Sequence, residues 1–432
     1  MSDLPAALPE PVPDPAPAAA PRSRLQLTGA VIIQAITEGS SVVITILAIF
    51  LALVVGGVLI VFSDPLVTHA WSSFFAYPGT ALSQTWHSVS FAYSQMFEGA
   101  IFSPSTVSAA FHGGSIEAIF YPLSSTAAQA TPLILTGLSV AIAFRCGLFN
   151  IGAAGQWVGG AVVATWLGFG VSLPPFIHVV VCVVGAFVGG AVIGWFVGVL
   201  KARTGAHEVI VTIMLNYVMY DLLTYLLSTP KALQQPGQNN QIAPFVANDA
   251  TLGHVGGPPP QVGVGFLIAV AAAAGVAWLL GRSTTGFQFR TVGASPAAAR
   301  SAGIKVERAW VLVMLLAGGL AGLSAAAVTL GTNTQLTFNS YGTYGSDGIT
   351  VALLGRARPF GVVLAGLLFG ALQQGGTYVE AATLGQVPAD IVEVLEGLIV
   401  LFVAAPALIR VVFRLRATSG TGMEAAAKGW NG

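Results

Sequence analysis

Two apolar stretches of this chain break at arginine and then resume as long apolar runs. One reads AIAFRCGLFNIGAAGQWVGGAV from Ala141, and the other reads VALLGRARPFGVVLAGLLFGAL from Val351. A helix broken at membrane depth leaves backbone N–H and C=O groups unpaired, and such groups can hold a polar solute on its way across. Asn150 and Gln156 add uncharged donors and acceptors beside the first break, with Phe149 and Trp157 as aromatic faces. A plainer reading stands beside this one, in which Arg145, Arg356 and Arg358 are cytoplasmic anchors and Asn150 caps a helix.

The run EVIVTIMLNYVMYDLLTYLL from Glu208 is the most polar of the apolar segments. Thr212, Asn216 and Tyr220 recur every four residues and share one helix face. Asp221 lies too deep to face lipid cheaply, so it should face protein or water. Asn216 and Asp221 either line a pore or bond neighbouring helices. Near the C-terminus, Asp390, Glu393 and Glu396 fall in the first two turns of a helix, where the dipole favours acids. Proton coupling through these acids or Asp221 is the alternative, and it would make the chain an ion-coupled secondary transporter.

These residues need a membrane to position them. Only 34 of 432 residues are Asp, Glu, Lys or Arg, which is 8% against about 25% in soluble domains. Mean hydropathy is +0.79 and 55% of residues are hydrophobic, which excludes both a soluble fold and intrinsic disorder. Net charge is zero, so nothing points to nucleic acid. Cys146 and Cys182 lie in or beside apolar segments without metal-ligand spacing, and read as buried small hydrophobes. The expected fold is an all-α polytopic membrane protein with the lipid bilayer as its solvent, needing neither cofactor nor metal.

Residues 1–40 read as a disordered Pro/Ala-rich tail without a cleaved signal. The first apolar run, Ser41–Phe62, is long enough to cross. Further runs lie near 129–144, 152–171, 176–200, 209–228, 263–281, 310–330, 359–376 and 389–409, with a short one near 344–355. Together they make about ten spans, some short or broken, in a permease-like unit over 41–410. Sixteen of the 17 Lys and Arg then fall on one side, with Lys231 opposite. The positive-inside rule makes that side cytoplasmic, with both termini inside, 411–432 as a tail and 63–128 as a long outer loop. Repeated G-x-x-x-G spacings, such as Gly190/Gly194 and Gly318/Gly322, suit closely packed helices.

The longest internal loop, 282–309, carries five basic residues and one acid. Ser295 and Pro296 begin a short helix as N-cap and N1 residue, and Gly303 is placed to end it. A soluble partner or the membrane surface could cover this helix. No segment matches G-x-x-x-x-G-K-[ST], so an ATP-driven pump would need its nucleotide site on another subunit. No Ser/His/Asp or H-E-x-x-H arrangement marks an enzyme either, and His178 stands alone in an apolar run.

Phe144–Gln156 reads FRCGLFNIGAAGQ and resembles the F-R-x-G-L-F-N-I-G-x-E-G-Q motif of bacterial ABC-importer permeases. These are the branched-chain amino acid/ribose/nucleoside class, and the nucleoside or simple-sugar branch is the nearest. EVIVTIMLNY at Glu208–Tyr217, Gly286–Ile304 and GSDGITVALLGRARPFG at Gly345–Gly361 are similar as well, so the likeness spans roughly 125–410. Ala154 stands where the family usually has Glu. The resemblance implies two cytoplasmic ATPase subunits, a second permease subunit and an extracytoplasmic, usually lipid-anchored, binding protein. It also implies that 282–309 is the coupling loop, with Arg290, Gly293, Pro296, Arg300 and Gly303 meeting the ATPase. A small solute would then pass Phe149, Asn150, Gln156, Thr212, Asn216 and Asp221.

Overall fold

The computed structural model describes residues 41–112, 116–230, 232–255 and 262–414. The tail over 1–40, Lys231 and the segment 415–432, on which part of the orientation reading rests, lie outside the described residues. Helix α1 (Ser41–Ser63) is the first apolar run. Three helices follow, α2 (Pro65–Ser72), α3 (Pro78–Ala100) and α4 (Pro104–Phe111), each with proline in its first turn. Proline fits there because the first amides of a helix have no intrahelical acceptor to lose. The Asp64 carboxylate caps α2 by accepting from the Leu66 N–H at 2.9 Å.

The stretch 63–128, expected as an outer loop, is therefore helical over most of its described length. The next long helix, α5 (Tyr121–Arg145), begins before residue 129. In α3 the Ser, Thr, Gln and His side chains interrupt the apolar run, so counting apolar residues passes over a 23-residue helix whose one charge is Glu98.

Then come α6 (Ala153–Gly170), α7 (Pro175–Thr204) and α8 (Glu208–Ser228). An irregular segment carries β1 (Ile242–Phe245), β2 (His254–Val255) and β3 (Val262–Gly263). Helices α9 (Val264–Arg282), α10 (Thr284–Ala294), α11 (Pro296–Ser301) and α12 (Val306–Ala327) follow. The chain continues through β4 (Gln335–Thr337), α13 (Tyr344–Leu354), α14 (Pro359–Ala382), α15 (Asp390–Ala404) and α16 (Pro406–Val412). Strand β1 pairs antiparallel with β4, and β2 with β3.

Among the described residues, seven helices are long and apolar enough to cross a membrane. The count is eight if α15 and α16, bent by 89°, form one span. The reading of about ten also counts α6, diluted by glycine and Gln156, and α13, whose 11 residues reach only about 16 Å. This is an all-α polytopic membrane protein.

Helix α5 is its axis, buried at every residue from 130 to 143 and flanked by α12, α13 and α14. The most extensive pairing is α7 on α12. Gly190 and Gly194 of α7 meet Gly318, Gly322 and the Met314 backbone of α12, and Gly198 meets the Val311 backbone, so closely that an added Cβ would strike main chain. The G-x-x-x-G spacings thus do what such spacing does in lipid, bringing two backbones together. Helix α8 rests chiefly on α6 and leaves Ile210, Met214, Tyr217, Val218 and Tyr225 exposed along its other face.

Candidate functional site

At the arginine-bearing end of the molecule, both breaks meet the loop 282–309. Helix α5 ends at Arg145, and Gly147 reverses the chain with φ +75. The positive φ favours glycine because a Cβ would crowd the backbone there. Gly293, next to last in α10, sits directly on this turn. A Cβ added to it would lie 3.0 Å from the Cys146 carbonyl carbon and 3.0 Å from the Gly147 nitrogen, and closer still to the Arg145 oxygen. From the other side, the Arg145 Nε–H donates to the Ala357 carbonyl at 2.9 Å. Ala357 and Arg356 both hold left-handed backbone, φ +49 and +55, in the turn between α13 and α14. Three sequence-distant turns are thereby tied into one knot.

The knot borders a cavity of about 570 Å³, lined among others by Phe144, Phe149, Lys201, Gly293, Pro296 and Arg356. Lys201 is spoken for, since its ammonium pairs with Glu208 at 2.5 Å and lies 5.1 Å from the Trp310 ring centroid. Phe149, 40% exposed, packs on Phe144 with ring centroids 4.9 Å apart.

Beyond the turn, Asn150 and Gln156 form a reciprocal amide clasp. Asn150 Nδ2 donates to Gln156 Oε1 at 2.9 Å and Gln156 Nε2 donates to Asn150 Oδ1 at 3.0 Å. Asn150 Nδ2 also donates to Ser139 Oγ at 3.1 Å, and all three residues are fully buried. Asn216 of α8 completes the arrangement. Its Oδ1 accepts from the Gly155 N–H at 2.9 Å and its Nδ2 donates to the Ile151 carbonyl at 3.0 Å. Orphan backbone groups at the start of α6 are thus satisfied by a side chain of the neighbouring helix. Thr212, fully buried, donates to the Glu208 carbonyl and turns its methyl toward Gly152.

Five of the six expected pathway residues gather at this break. Asp221 does not, and is exposed on α8 with no ion pair among the described residues. Ala154 lies against Gly345, so α6 and α13 touch backbone to backbone where the family motif has an acid. Trp157 is buried and stacks on Tyr344 at 6.0 Å, and its indole N–H has no partner among the described residues.

On the loop, Ser295 caps α11 by accepting from the Ala298 N–H at 3.2 Å, and Gly303 takes φ +78 just beyond its end. Arg290, Pro296 and Arg300 are exposed, and Arg300 pairs with the exposed Glu307 at 3.0 Å. Such a pair contributes little, so it leaves Arg300 open to exchange partners.

Two polar clusters escaped the sequence reading. Gln373 Nε2 donates to Asp347 Oδ2 at 3.2 Å and reaches Glu396 Oε2 at 3.5 Å, while the buried Glu396 Oε1 has no partner among the described residues. Asp390 and Glu393 remain exposed in the first turn of α15. Nor is His178 alone, because its Nε2 lies 3.0 Å from the Leu167 carbonyl and its Nδ1 3.0 Å from Asp249 Oδ2. That hydrogen bond holds the Asp249 carboxyl below its ordinary range. Neither cluster has a sequence signal, since its members lie 71 and 23 to 26 residues apart. Among the described residues, no group of His, Cys, Asp and Glu could hold a metal ion.

Residues 123–404 match the family described as branched-chain amino acid transport system / permease component. The chain is 36% identical over 299 residues to the guanosine ABC transporter permease protein NupP of Bacillus subtilis, covering 68% of this chain and 83% of that one. It is 36% identical over 298 residues to the glucose ABC transporter permease protein TsgB13 of Haloferax volcanii, covering 65% and 76%. It is 33% identical over 288 residues to the nucleoside ABC transporter permease protein NupB of Lactococcus lactis, covering 65% and 78%. No solved structure matches.

Proposed function

Because the chain belongs to the branched-chain amino acid transport system permease-component family, we propose that it is one membrane half of an ATP-driven importer for nucleosides or related simple sugars. It works in the bacterial cytoplasmic membrane. Its partners are cytoplasmic ATPase subunits, a second permease subunit and an extracytoplasmic binding protein. Two of the relatives are named for nucleosides and one for glucose, which supports that cargo class.

The observation that carries the reading is the knot of Gly293, Arg145 and Ala357. The ATPase pair grips the exposed face of α10 and α11 around Arg290, Pro296 and Arg300. When ATP closes the pair, α10 moves, and the contact of Gly293 with the Arg145–Gly147 turn passes that motion to both breaks at once. Asn216 then conveys it to α8, whose exposed face carries Asp221 and meets the second permease subunit across the cargo path. An aspartate there is costly against lipid but not against water or protein. The scarcity of charge elsewhere in the spans suits a neutral polar cargo.

The docking part is tested by co-purifying the ATPase with Pro296→Gly and Arg300→Glu variants, which should lose it. Retained ATPase with full coupled hydrolysis would remove the coupling role. A panel of nucleosides and sugars titrated on the partner binding protein names the cargo. The half-buried Asp347 and the buried Glu396, bridged by Gln373, support a second reading, an ion-coupled secondary transporter. That reading requires uptake to collapse under a protonophore while ATP is present.

A further inference from the structure

The family match begins at residue 123, so α1 to α4 lie outside it. Between α1 and α3 runs an open groove of about 590 Å³. Its walls are Phe50, Val54 and Val58 on one side and Leu82, Trp86 and Val89 on the other, and no charged side chain lines it.

The two hydroxyls that reach the groove are already used within the chain. Thr85 Oγ1 donates to the Ala81 carbonyl at 2.8 Å and accepts from the Trp71 indole N–H at 2.9 Å. The Tyr93 hydroxyl donates to the Leu53 carbonyl. A polar ligand would find little to bond and would forfeit its own hydration, a loss that disfavours polar occupants. An apolar chain loses nothing of the kind and gains close van der Waals contact with the groove walls.

The groove is also continuous with a surface that meets lipid. Ile46, Phe50, Val54, Val58 and Phe62 recur every four residues along α1 and are 48–73% exposed, as the outer stripe of a membrane span should be. Three of them are groove walls, so the groove is an indentation in that stripe. At its far end, residues 65–97 contain no Asp, Glu, Lys or Arg. They instead expose Trp71, Phe75, Tyr77 and Trp86. Aromatic side chains of this kind collect where hydrocarbon gives way to headgroups. That end of α1 lies opposite the arginine knot, since Ile60 packs with Val379 near the C-terminus of α14.

We propose that the α1–α3 groove is an acyl-chain site, and that α2 and the start of α3 before Leu82 lie in the headgroup zone of the same leaflet. A lipid held there wedges between α1 and α3. Through α3 it bears on α14, where Gly99 meets Tyr378 and Gly375 meets the Met96 backbone.

The test uses the full chain in liposomes, with a thiol-reactive fluorophore on Leu82→Cys, Ile46→Cys or Asn239→Cys. Cys146 and Cys182 are buried, and the unsubstituted chain gives their background. Lipids brominated along the acyl chain should quench positions 82 and 46 and spare 239. Half-quenching at 82 should need about tenfold less brominated lipid than at 46, as a site of higher affinity requires. Filling the groove with Val58→Trp should bring position 82 back to the behaviour of 46. Equal half-quenching at 82 and 46 in the unfilled chain would leave only ordinary boundary lipid and overturn the site. So would rapid labelling of 82 by a membrane-impermeant thiol reagent, and so would protection that arises only when the binding protein is added. None of these results depends on the cargo or the ATPase.

Discussion

Replacing Gly293 with alanine probes the knot at its tightest point. The new Cβ would sit 3.0 Å from two backbone atoms of the Cys146–Gly147 turn and nearer still to the Arg145 oxygen. Main chain cannot rotate away as a side-chain tip can, so α10 and the turn must separate. Overpacking of this kind costs about 1–3 kcal/mol. If that energy falls on the equilibrium linking ATPase closure to the breaks, coupling weakens by about 5- to 150-fold. The assay is cargo uptake and ATP hydrolysis measured together in the reconstituted importer. Gly293→Ala should bind the ATPase and hydrolyse ATP, yet carry at least about fivefold fewer solutes per ATP. Gly281→Ala is the control, because a Cβ there meets nothing within 4 Å, and it should transport normally. Where Gly293→Ala folds poorly, Arg145→Gln tests the same link by removing the guanidinium donor to Ala357. Transport per ATP at the wild-type ratio in both variants would refute the reasoning.

Other perturbations follow from the same contacts. Gln156→Leu takes the donor from the buried Asn150 Oδ1 while Nδ2 keeps Ser139, which should cost about 1–3 kcal/mol, read as a lower midpoint in thermal unfolding. Asn216→Leu frees the Gly155 N–H and the Ile151 carbonyl, and should lower both uptake and thermal stability while leaving ATPase binding intact. Asp221→Asn should keep ATP-driven uptake, whereas an ion-coupled carrier using this acid would lose it. The hydrogen bond from His178 depresses the Asp249 carboxyl from its ordinary 3.8. Its stabilising contribution is therefore complete above that value and is lost as pH falls through the lower folded one. Asp249→Asn should flatten this acid limb of the stability curve, measured by thermal unfolding at stepped pH.

Much of the architecture is legible in the residues. The long uncharged runs mark α1, α7, α9 and α12, and Ser295-Pro296 marks α11, because burial length and capping are local properties. The break at Phe144–Gln156 is legible too, since an arginine inside an apolar run announces a turn. What the residues hide is pairing. Asn216 reads equally as a pore residue or a helix bond, and only the fold brings it to Gly155, 61 positions away. Asn150 and Gln156 read as a solute contact, with a helix cap as the alternative for Asn150, and only the fold shows their amides bonding each other. The α3 helix is hidden because Ser, Thr, Gln and His interrupt its apolar residues, while the face it buries is made of Ala81, Ala92, Gly99 and Ala100, which add little to a hydropathy count. Asp347, Gln373 and Glu396 were invisible as a group because three separate helices supply them.

The central claim is that this chain moves its cargo on the energy of a partner ATPase. The direct measurement is labelled nucleoside uptake into proteoliposomes holding this chain, its permease partner and the ATPase, with ATP inside and binding protein outside. Uptake should require all four components and should persist when a protonophore is added. Uptake that continues without the ATPase, or that a protonophore abolishes while ATP is present, would contradict the account.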